Sequence, residues 1–242
     1  MGGAILAFSI IAFVASYLEA RGHRLQYLLY GYPVKERIVD GIPIMQYTTE
    51  QGWNNCLEQM EVDVDIVFYG NSITKQSNFR KYFPDRKICN LGIGGDDLNG
   101  LYRRIEMIRT VHPEKVFVMG GINDSKWIHP DTFSVQYERM LRSMRDSLPA
   151  ETDIFIQSLL PVNHKVYDKY ADNMKIKRLN EIIKSISTKY KTRYIDLYSL
   201  YEENGEMPDS LTIDGIHLKP YHYKKWADAI STFIYETEHH HN

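Results

Sequence analysis

The sequence predicts an α/β protein, a three-layer sandwich with a five-stranded parallel sheet between two layers of helices. Three observations carry that expectation. From about residue 62 onward, short β-branched and aromatic runs alternate with longer segments of helical period. Four of the apolar runs stop at Gly70, Gly92, Gly120 or Pro161, as buried strands do at their carboxyl ends. Repeated alternation of strand and helix implies right-handed βαβ crossovers, which place helices on both faces of the sheet.

The elements follow in order. Residues 62–69 (VDVDIVFY) read as the first strand and 87–91 (KICNL) as the second. Residues 96–111 read as a helix, with Leu98, Leu101, Ile105 and Ile108 on one face and Asp96 and Asp97 placed to cap its first turn. Residues 115–119 are the third strand, and 131–148 a helix with Phe133, Tyr137, Met140, Leu141 and Met144 aligned. A fourth strand spans 153–160, and a helix over 169–190 carries Met174, Ile176, Leu179, Ile182, Ile183 and Ile186. A short strand at 193–197 and a helix at 221–235 complete the pattern, with Trp226 expected in the core.

Composition limits the function classes. The 242 residues carry 29 Lys+Arg against 31 Asp+Glu, a net charge of −2 with no basic run, which argues against binding of nucleic acid. Two cysteines, Cys56 and Cys89, form neither a disulfide framework nor a zinc spacing, and Cys89 reads as a small buried hydrophobe. Residues 1–20 read as a signal peptide or membrane anchor, because 4–18 is an apolar run. No basic residue precedes that run, and its length is short for a span, so a helix packed on the protein is the other reading. Residues 21–60 read as an irregular N-terminal extension and 61–238 as the working domain, with His239, His240 and His241 a tail rather than a metal site. An extracytoplasmic location is the expectation. The sequence does not fix the oligomeric state.

In parallel sheets, ligands bind at the carboxyl ends of the strands, so the loops there are the ones to read for chemistry. After the first strand stands Gly70-Asn71-Ser72-Ile73-Thr74, where a Ser at a strand-to-helix turn either exposes its hydroxyl or simply caps the helix. After the second stands Gly92-Ile93-Gly94-Gly95-Asp96-Asp97. Asp97 occupies the last position of G-x-G-x-x-G and two carboxylates stand where a pyrophosphate would lie, which speaks against a dinucleotide site. After the third stands Gly120-Gly121-Ile122-Asn123-Asp124, offering an amide donor or a plain turn residue. Before the last helix stands Asp214-Gly215-Ile216-His217-Leu218, in which a carboxylate three residues before a His can fold back onto one ring nitrogen. Each signal alone is weak. Together they supply a nucleophile, a base with an orienting acid, and oxyanion donors.

The segments GNSIT, NLGIGGDD, GGIND and DGIHL resemble, in order, the four blocks of the SGNH hydrolases, also called the GDSL esterase/lipase family. The resemblance spans residues 66–217 and implies a flavodoxin-like fold. It implies Ser72 as nucleophile, His217 as general base and Asp214 as its orienter. Ser72 and Gly95 (backbone) and Asn123 (side chain) are then the oxyanion donors. The chain departs from the family pattern at Asn71, where the family has Asp. The details look most similar to the branch of acetylhydrolases and carbohydrate O-acetylesterases.

The expectation is therefore a serine esterase that removes a short acyl group, acetyl first, from a small-molecule or carbohydrate ester, without metal or organic cofactor. Activity should rise with pH through about 6–7, the reference range for a histidine base. A lysophospholipase or thioesterase on the same triad and a non-catalytic carbohydrate- or acyl-binding module are the competing readings. Trp127, His129, His164, Tyr167 and Tyr170 stand on loops of the ligand side and are candidates to touch substrate.

Overall fold

The structure, a computed structural model, describes residue 60, residues 63–166 and 172–236, and the backbone of 37–39 and 42–44. The apolar run at 4–18, Cys56, Tyr167, Tyr170 and the terminal histidines lie outside the described residues. Within the segment read as irregular, β1 (Arg37–Val39) and β2 (Ile42–Ile44) pair antiparallel, with Val39 opposite Ile42. The intervening sequence is Asp40-Gly41, a two-residue hairpin signal between β-branched residues.

The domain is built on β3 (Ile66–Gly70), β4 (Ile88–Gly92), β5 (Lys115–Met119), β6 (Asp153–Gln157) and β7 (Arg193–Ile195). All pair parallel, in the order β4-β3-β5-β6-β7. This is the order of a flavodoxin-like sheet, whose chain reverses direction of travel between β3 and β5. Strands this apolar must be covered on both faces, and alternation along them assigns the covers. Phe68, Phe117 and Phe155 lie side by side in register, with ring centroids 5.1 and 4.5 Å apart. That aromatic row packs under Phe79, Trp226 and Phe233. Trp226 and Phe233 belong to α7 (Tyr223–Tyr235), so this helix covers one face, and Trp226 is fully buried with its indole N–H on Gln157 Oε1 at 2.6 Å.

The opposite face presents Val67, Tyr69, Val116, Val118, Ile154 and Ile156, all buried. It is covered by α2 (Leu98–Arg103), α3 (Ile105–Thr110), α4 (Pro130–Ser147) and α5 (Asn173–Lys189), which pack on one another. Short helices α1 (Ser72–Lys75) and α6 (Tyr198–Tyr201) follow β3 and β7. Gly92 is required where α1 passes over the end of β4, since a Cβ there would stand 2.2 Å from the Lys75 backbone nitrogen. Among the described residues no helix is long and apolar enough to cross a membrane.

Several elements are shorter than the sequence expectation: the first parallel strand begins at Ile66, the last ends at Ile195 and the last helix begins at Tyr223. Two further departures have a visible reason. The helix expected over 96–111 is broken at Arg104, whose side chain is fully buried rather than solvated. The fourth strand ends at Gln157 rather than residue 160, because helix α5 takes over its hydrogen bonding. The Asn180 side chain satisfies both the N–H and the C=O of Leu159, at 2.8 and 3.0 Å. Asn173 does the same for Val162, at 2.9 and 2.8 Å. Buried backbone groups need partners, and amides can replace a neighbouring strand.

Candidate active site

Ser72 stands two residues beyond Gly70, the last of β3, and opens α1. The cap of that helix is Asn71, whose Oδ1 accepts from the Ile73 N–H at 3.0 Å. A capping serine would hold its own hydroxyl on the backbone; with Asn71 in that role, the Ser72 hydroxyl faces a different partner. That partner is His217, whose Nε2 lies 2.8 Å from Ser72 Oγ across 145 residues of sequence. His217 Nδ1 lies 2.7 Å from Asp214 Oδ2. The three side chains form one hydrogen-bonded row at the carboxyl edge of the sheet.

Local geometry holds the Asp–His pair. Asp214 Oδ1 accepts from the N–H groups of His217 at 2.9 Å and Ile216 at 3.2 Å, an Asx turn that folds the carboxylate under the imidazole. The Thr212 hydroxyl donates to the His217 carbonyl and accepts from the Gly215 N–H, closing the loop on itself. Partial burial pushes the Asp214 carboxyl up, but the hydrogen bonds from the His217 backbone and imidazole outweigh it and hold the group below the ordinary Asp value. It therefore stays ionised where an imidazolium would form beside it.

The other side of Ser72 faces the loop after β4. Gly95 adopts φ 75°, a left-handed conformation that suits glycine, and Asp96 N–H closes the turn onto the Ile93 carbonyl at 3.3 Å. The Asn123 amide donates to the Asp96 carbonyl at 2.8 Å, which brings that side chain alongside Gly95. Ser72 at the first helical position and Gly95 in its turn donate their N–H groups to no acceptor among the described residues. Two backbone donors and one amide thus accompany a hydroxyl–imidazole–carboxylate row.

Beneath this loop lies a layer that the sequence reading missed. Arg104 stacks on Tyr69 with its guanidinium carbon 4.1 Å from the ring centroid. It donates to Asp96 Oδ2 at 2.6 Å, to the Leu91 carbonyl at 2.6 Å and to the Gly70 carbonyl at 2.7 Å. One guanidinium therefore ties together the end of β3 just before the Ser72 turn, the end of β4, and the residue after Gly95. Burial pushes the Asp96 carboxyl up, Arg104 opposes this, and the pKa settles at about 6. Asp124, also buried, accepts from the Leu98 N–H, and burial together with the Asp97 charge pushes its carboxyl well above the usual range. Asp97 itself caps α2 through the Gly100 N–H at 2.7 Å. The sequence does set Arg104 on the apolar face of Leu101 and Ile105, but Asp96 reads there as a helix cap and nothing in the sequence names the other two acceptors.

Of the other candidates, Trp127 and His129 line an open groove on the ligand side, and His164 is half-buried with Nε2 unpartnered among the described residues. Cys89 is fully buried. Among the described residues no cluster of His, Cys, Asp and Glu could hold a metal ion.

Comparison with known proteins fits this geometry. Residues 68–225 match the GDSL-like lipase/acylhydrolase family. No match was found among curated proteins. Among solved structures, a GDSL-like lipase from Bacteroides thetaiotaomicron is 20% identical, with a TM-score of 0.64 over 76% of this chain and 96% of that one. A lipase/acylhydrolase from Enterococcus faecalis is 20% identical, with a TM-score of 0.60 over 71% and 95%. An acetyl xylan esterase is 19% identical, with a TM-score of 0.59 over 70% and 99%. At such identities the solved structures establish the fold, and the family match, which covers well over half of the chain, establishes the lineage. The chain belongs to the GDSL-like lipase/acylhydrolase family and is a hydrolase of ester bonds.

Proposed function

We propose that this hydrolase removes short acyl groups, acetyl first, from hydroxyls of a carbohydrate or similar small alcohol, by way of an acyl-Ser72 intermediate. The observation that carries the reading is the row Ser72 Oγ–His217–Asp214, with spacings of 2.8 and 2.7 Å, beside the Gly95–Asn123 loop. In this mechanism the Ser72 hydroxyl attacks the ester carbonyl as His217 Nε2 takes its proton. Asp214 fixes the tautomer by accepting from Nδ1–H and stabilises the imidazolium. Negative charge that develops on the carbonyl oxygen is met by the N–H groups of Ser72 and Gly95 and the Asn123 amide. The imidazolium returns the proton to the departing alcohol, and water then repeats the attack on the acyl-serine.

A short acyl group is supported by the side chains that the loops after β5 and β6 leave at least partly exposed, among them Trp127, His129 and His164. The aliphatic Leu159, Leu160 and Val162 there are buried in the core, and a long chain would want an aliphatic groove. A carbohydrate alcohol draws support from the acetyl xylan esterase among the structural neighbours. An extracytoplasmic site of action rests on the apolar run at 4–18 alone, and fractionation of cells expressing the full chain tests it. The enzymatic test is a p-nitrophenyl ester ladder from acetate to palmitate, with wild type and Ser72→Ala in parallel. A peak at acetate or butyrate that vanishes in the variant is expected. A peak at long chains would transfer the reading to lysophospholipids or thioesters on the same triad.

A further inference from the structure

The Asp214–His217 loop takes its shape from its own hydrogen bonds. Residues 211–219 double back as a narrow hairpin, in which the Lys219 N–H donates to the Leu211 carbonyl and the Ile213 N–H to the His217 carbonyl, both at 2.9 Å. Shape alone does not place that hairpin over Ser72. A lone hairpin is marginal in water, so its position comes from what it is fastened to. Two buried side chains outside the triad fasten it.

The first is Asn163, in the loop between β6 and α5. Its backbone N–H donates to the Gly215 carbonyl at 2.8 Å, at the tip of the hairpin between Asp214 and His217. Its side-chain amide donates to the Met207 carbonyl at 2.9 Å and to Asp209 Oδ1, just before the hairpin begins. Its Oδ1 accepts from the N–H groups of Lys165 at 3.0 Å and Val166 at 3.3 Å, which fixes the direction of the amide. One residue therefore grips both the tip and the base of the hairpin.

The second is Tyr223, which opens α7 six residues after His217. Its hydroxyl donates to the Ile73 carbonyl at 2.8 Å, in α1 and next to Ser72. The segment 214–223 thus meets α1 at two points, the His217–Ser72 bond and the Tyr223–Ile73 bond, each 2.8 Å long. The Tyr223 ring stacks on that of Trp226, with centroids 5.9 Å apart, and both are buried. Burial and then the Asp214 charge push the phenol up, so the hydroxyl keeps its proton and stays a donor at neutral pH.

Building on the esterase reading above, we propose that Asn163 and Tyr223 are positioning residues of the reaction, which together hold His217 Nε2 against Ser72 Oγ. Asn163 acts from the tip and base of the hairpin, and Tyr223 from the helix that carries the nucleophile. Neither touches the reacting atoms. Proton transfer from hydroxyl to imidazole needs hydrogen-bond reach, and a misplacement of about 1 Å can cost about 10²-fold in rate. Loss of either tether should therefore fall on kcat rather than on KM.

The test measures p-nitrophenyl acetate hydrolysis and melting temperature for wild type, Tyr223→Phe, Asn163→Ala and Asn180→Ala. Asn180 is the matched control: a buried amide that also holds two backbone groups, those of Leu159, but makes no bond to residues 207–223 among the described residues. Tyr223→Phe removes one hydroxyl and keeps the ring, so it should fold normally. Tyr223→Phe and Asn163→Ala are each expected to lower kcat about 10- to 100-fold with KM within about twofold. Asn180→Ala should lower the melting temperature at least as far as Tyr223→Phe and leave kcat within about twofold. In a His217→Ala background, Tyr223→Phe should change the residual rate by less than about twofold, because the group it positions is gone. A purely structural role would lower the rate equally in both backgrounds. The proposal is overturned by a kcat within about twofold of wild type in either tether variant, by an equal loss with and without His217, or by an equal loss in Asn180→Ala; in each case wild-type activity above Ser72→Ala still stands. If wild type is no faster than Ser72→Ala on p-nitrophenyl acetate, the esterase reading falls and the positioning roles with it.

Discussion

The two sides of Ser72 are built by opposite means. On one side, the Asp214–His217 pair stands on a short, half-exposed loop that is held almost entirely by itself, with Asp214 taking the backbone N–H groups of residues two and three ahead. On the other, the Gly95–Asn123 loop rests on a buried ionic layer, with Arg104 fully buried and Asp96 and Asp124 nearly so. The first side asks little of the fold beyond position. The second is part of the core, so its charges are coupled to stability as well as to the position of the Gly95 turn. Groups of the first kind should be removable at the expense of rate alone, whereas groups of the second kind should cost both.

The largest expected effect tests the first half of that contrast. Ser72→Ala should lower kcat/KM by about 10⁴–10⁶, with thermal stability within about 1 °C of wild type. Asp214→Asn should cost about 10⁴ by letting the imidazole take the wrong tautomer. A large drop in melting temperature for either would show that the triad loop is bound into the core after all.

Arg104 tests the second half. Replacing it by Met removes the partner of a buried carboxylate and three hydrogen bonds that join the ends of β3 and β4 to Asp96. Breaking a buried pair in this way typically costs about 3–5 kcal/mol, or roughly 10 °C in a domain of this size. Arg104→Lys should recover only part of that, because one ammonium cannot reach three acceptors in the fixed fork of a guanidinium. Urea unfolding of the three proteins measures it. If Arg104→Met is as stable as wild type, the buried layer is not a foundation of the loop.

This contrast also explains what could be read from the chain before its structure. The Asp214–His217 pairing was legible because its logic is local: Asp214, Gly215 and His217 carry their spacing in the sequence. The sheet was legible because its strands are largely apolar and three of them end at or just before a glycine, Gly70, Gly92 and Gly120. Arg104 was not, because its three acceptors come from Gly70, Leu91 and Asp96, and only the sheet pairing brings the first two together. The shortened β6 escaped for the same reason: Asn173 and Asn180 replace a strand's hydrogen bonds from a helix that follows it. The Asn71 cap was within reach, since Asn ranks with Ser as a capping residue. Reading the cap one residue earlier would have released the Ser72 hydroxyl at once.

Asn123 lies on the boundary between the two sides, as a half-exposed side chain whose amide is held by the Asp96 carbonyl. Asn123→Ala should lower kcat by about 10²–10³, the usual cost of one oxyanion donor, with KM little changed. The stability loss should stay near that of a single hydrogen bond, about 1 kcal/mol. A loss of several kcal/mol would assign Asn123 to the buried layer rather than to the reaction.

The smallest effect is the sharpest discriminator, because it reads charge in the buried layer through both rate and stability. Asp96 has a folded-state pKa of about 6 against 3.8 for an ordinary Asp, so the folded protein holds that proton more tightly than the unfolded chain. Its contribution to stability is therefore greatest below about pH 4 and declines as pH rises through 6, on the order of 2–3 kcal/mol in all. Asp214 has the opposite sign: its pKa is lowered, so its contribution is present above about pH 4 and is lost only in stronger acid. Relative to Asp96→Asn, wild type should thus gain stability on going from pH 7 to pH 4. Activity should move the other way. The proton that a base must shed gives one power of acid in log kcat against pH. Protonation of Asp96 weakens the Arg104 pair under the Gly95 loop, so below about pH 6 wild type should fall somewhat faster than one power of acid alone. Asp96→Asn, already neutral, should start from a lower rate at pH 7 and keep a slope of 1. Two superimposable limbs of slope 1 would mean that the charge beneath Gly95 bears on folding only, and that the two sides of Ser72 are independent in the reaction.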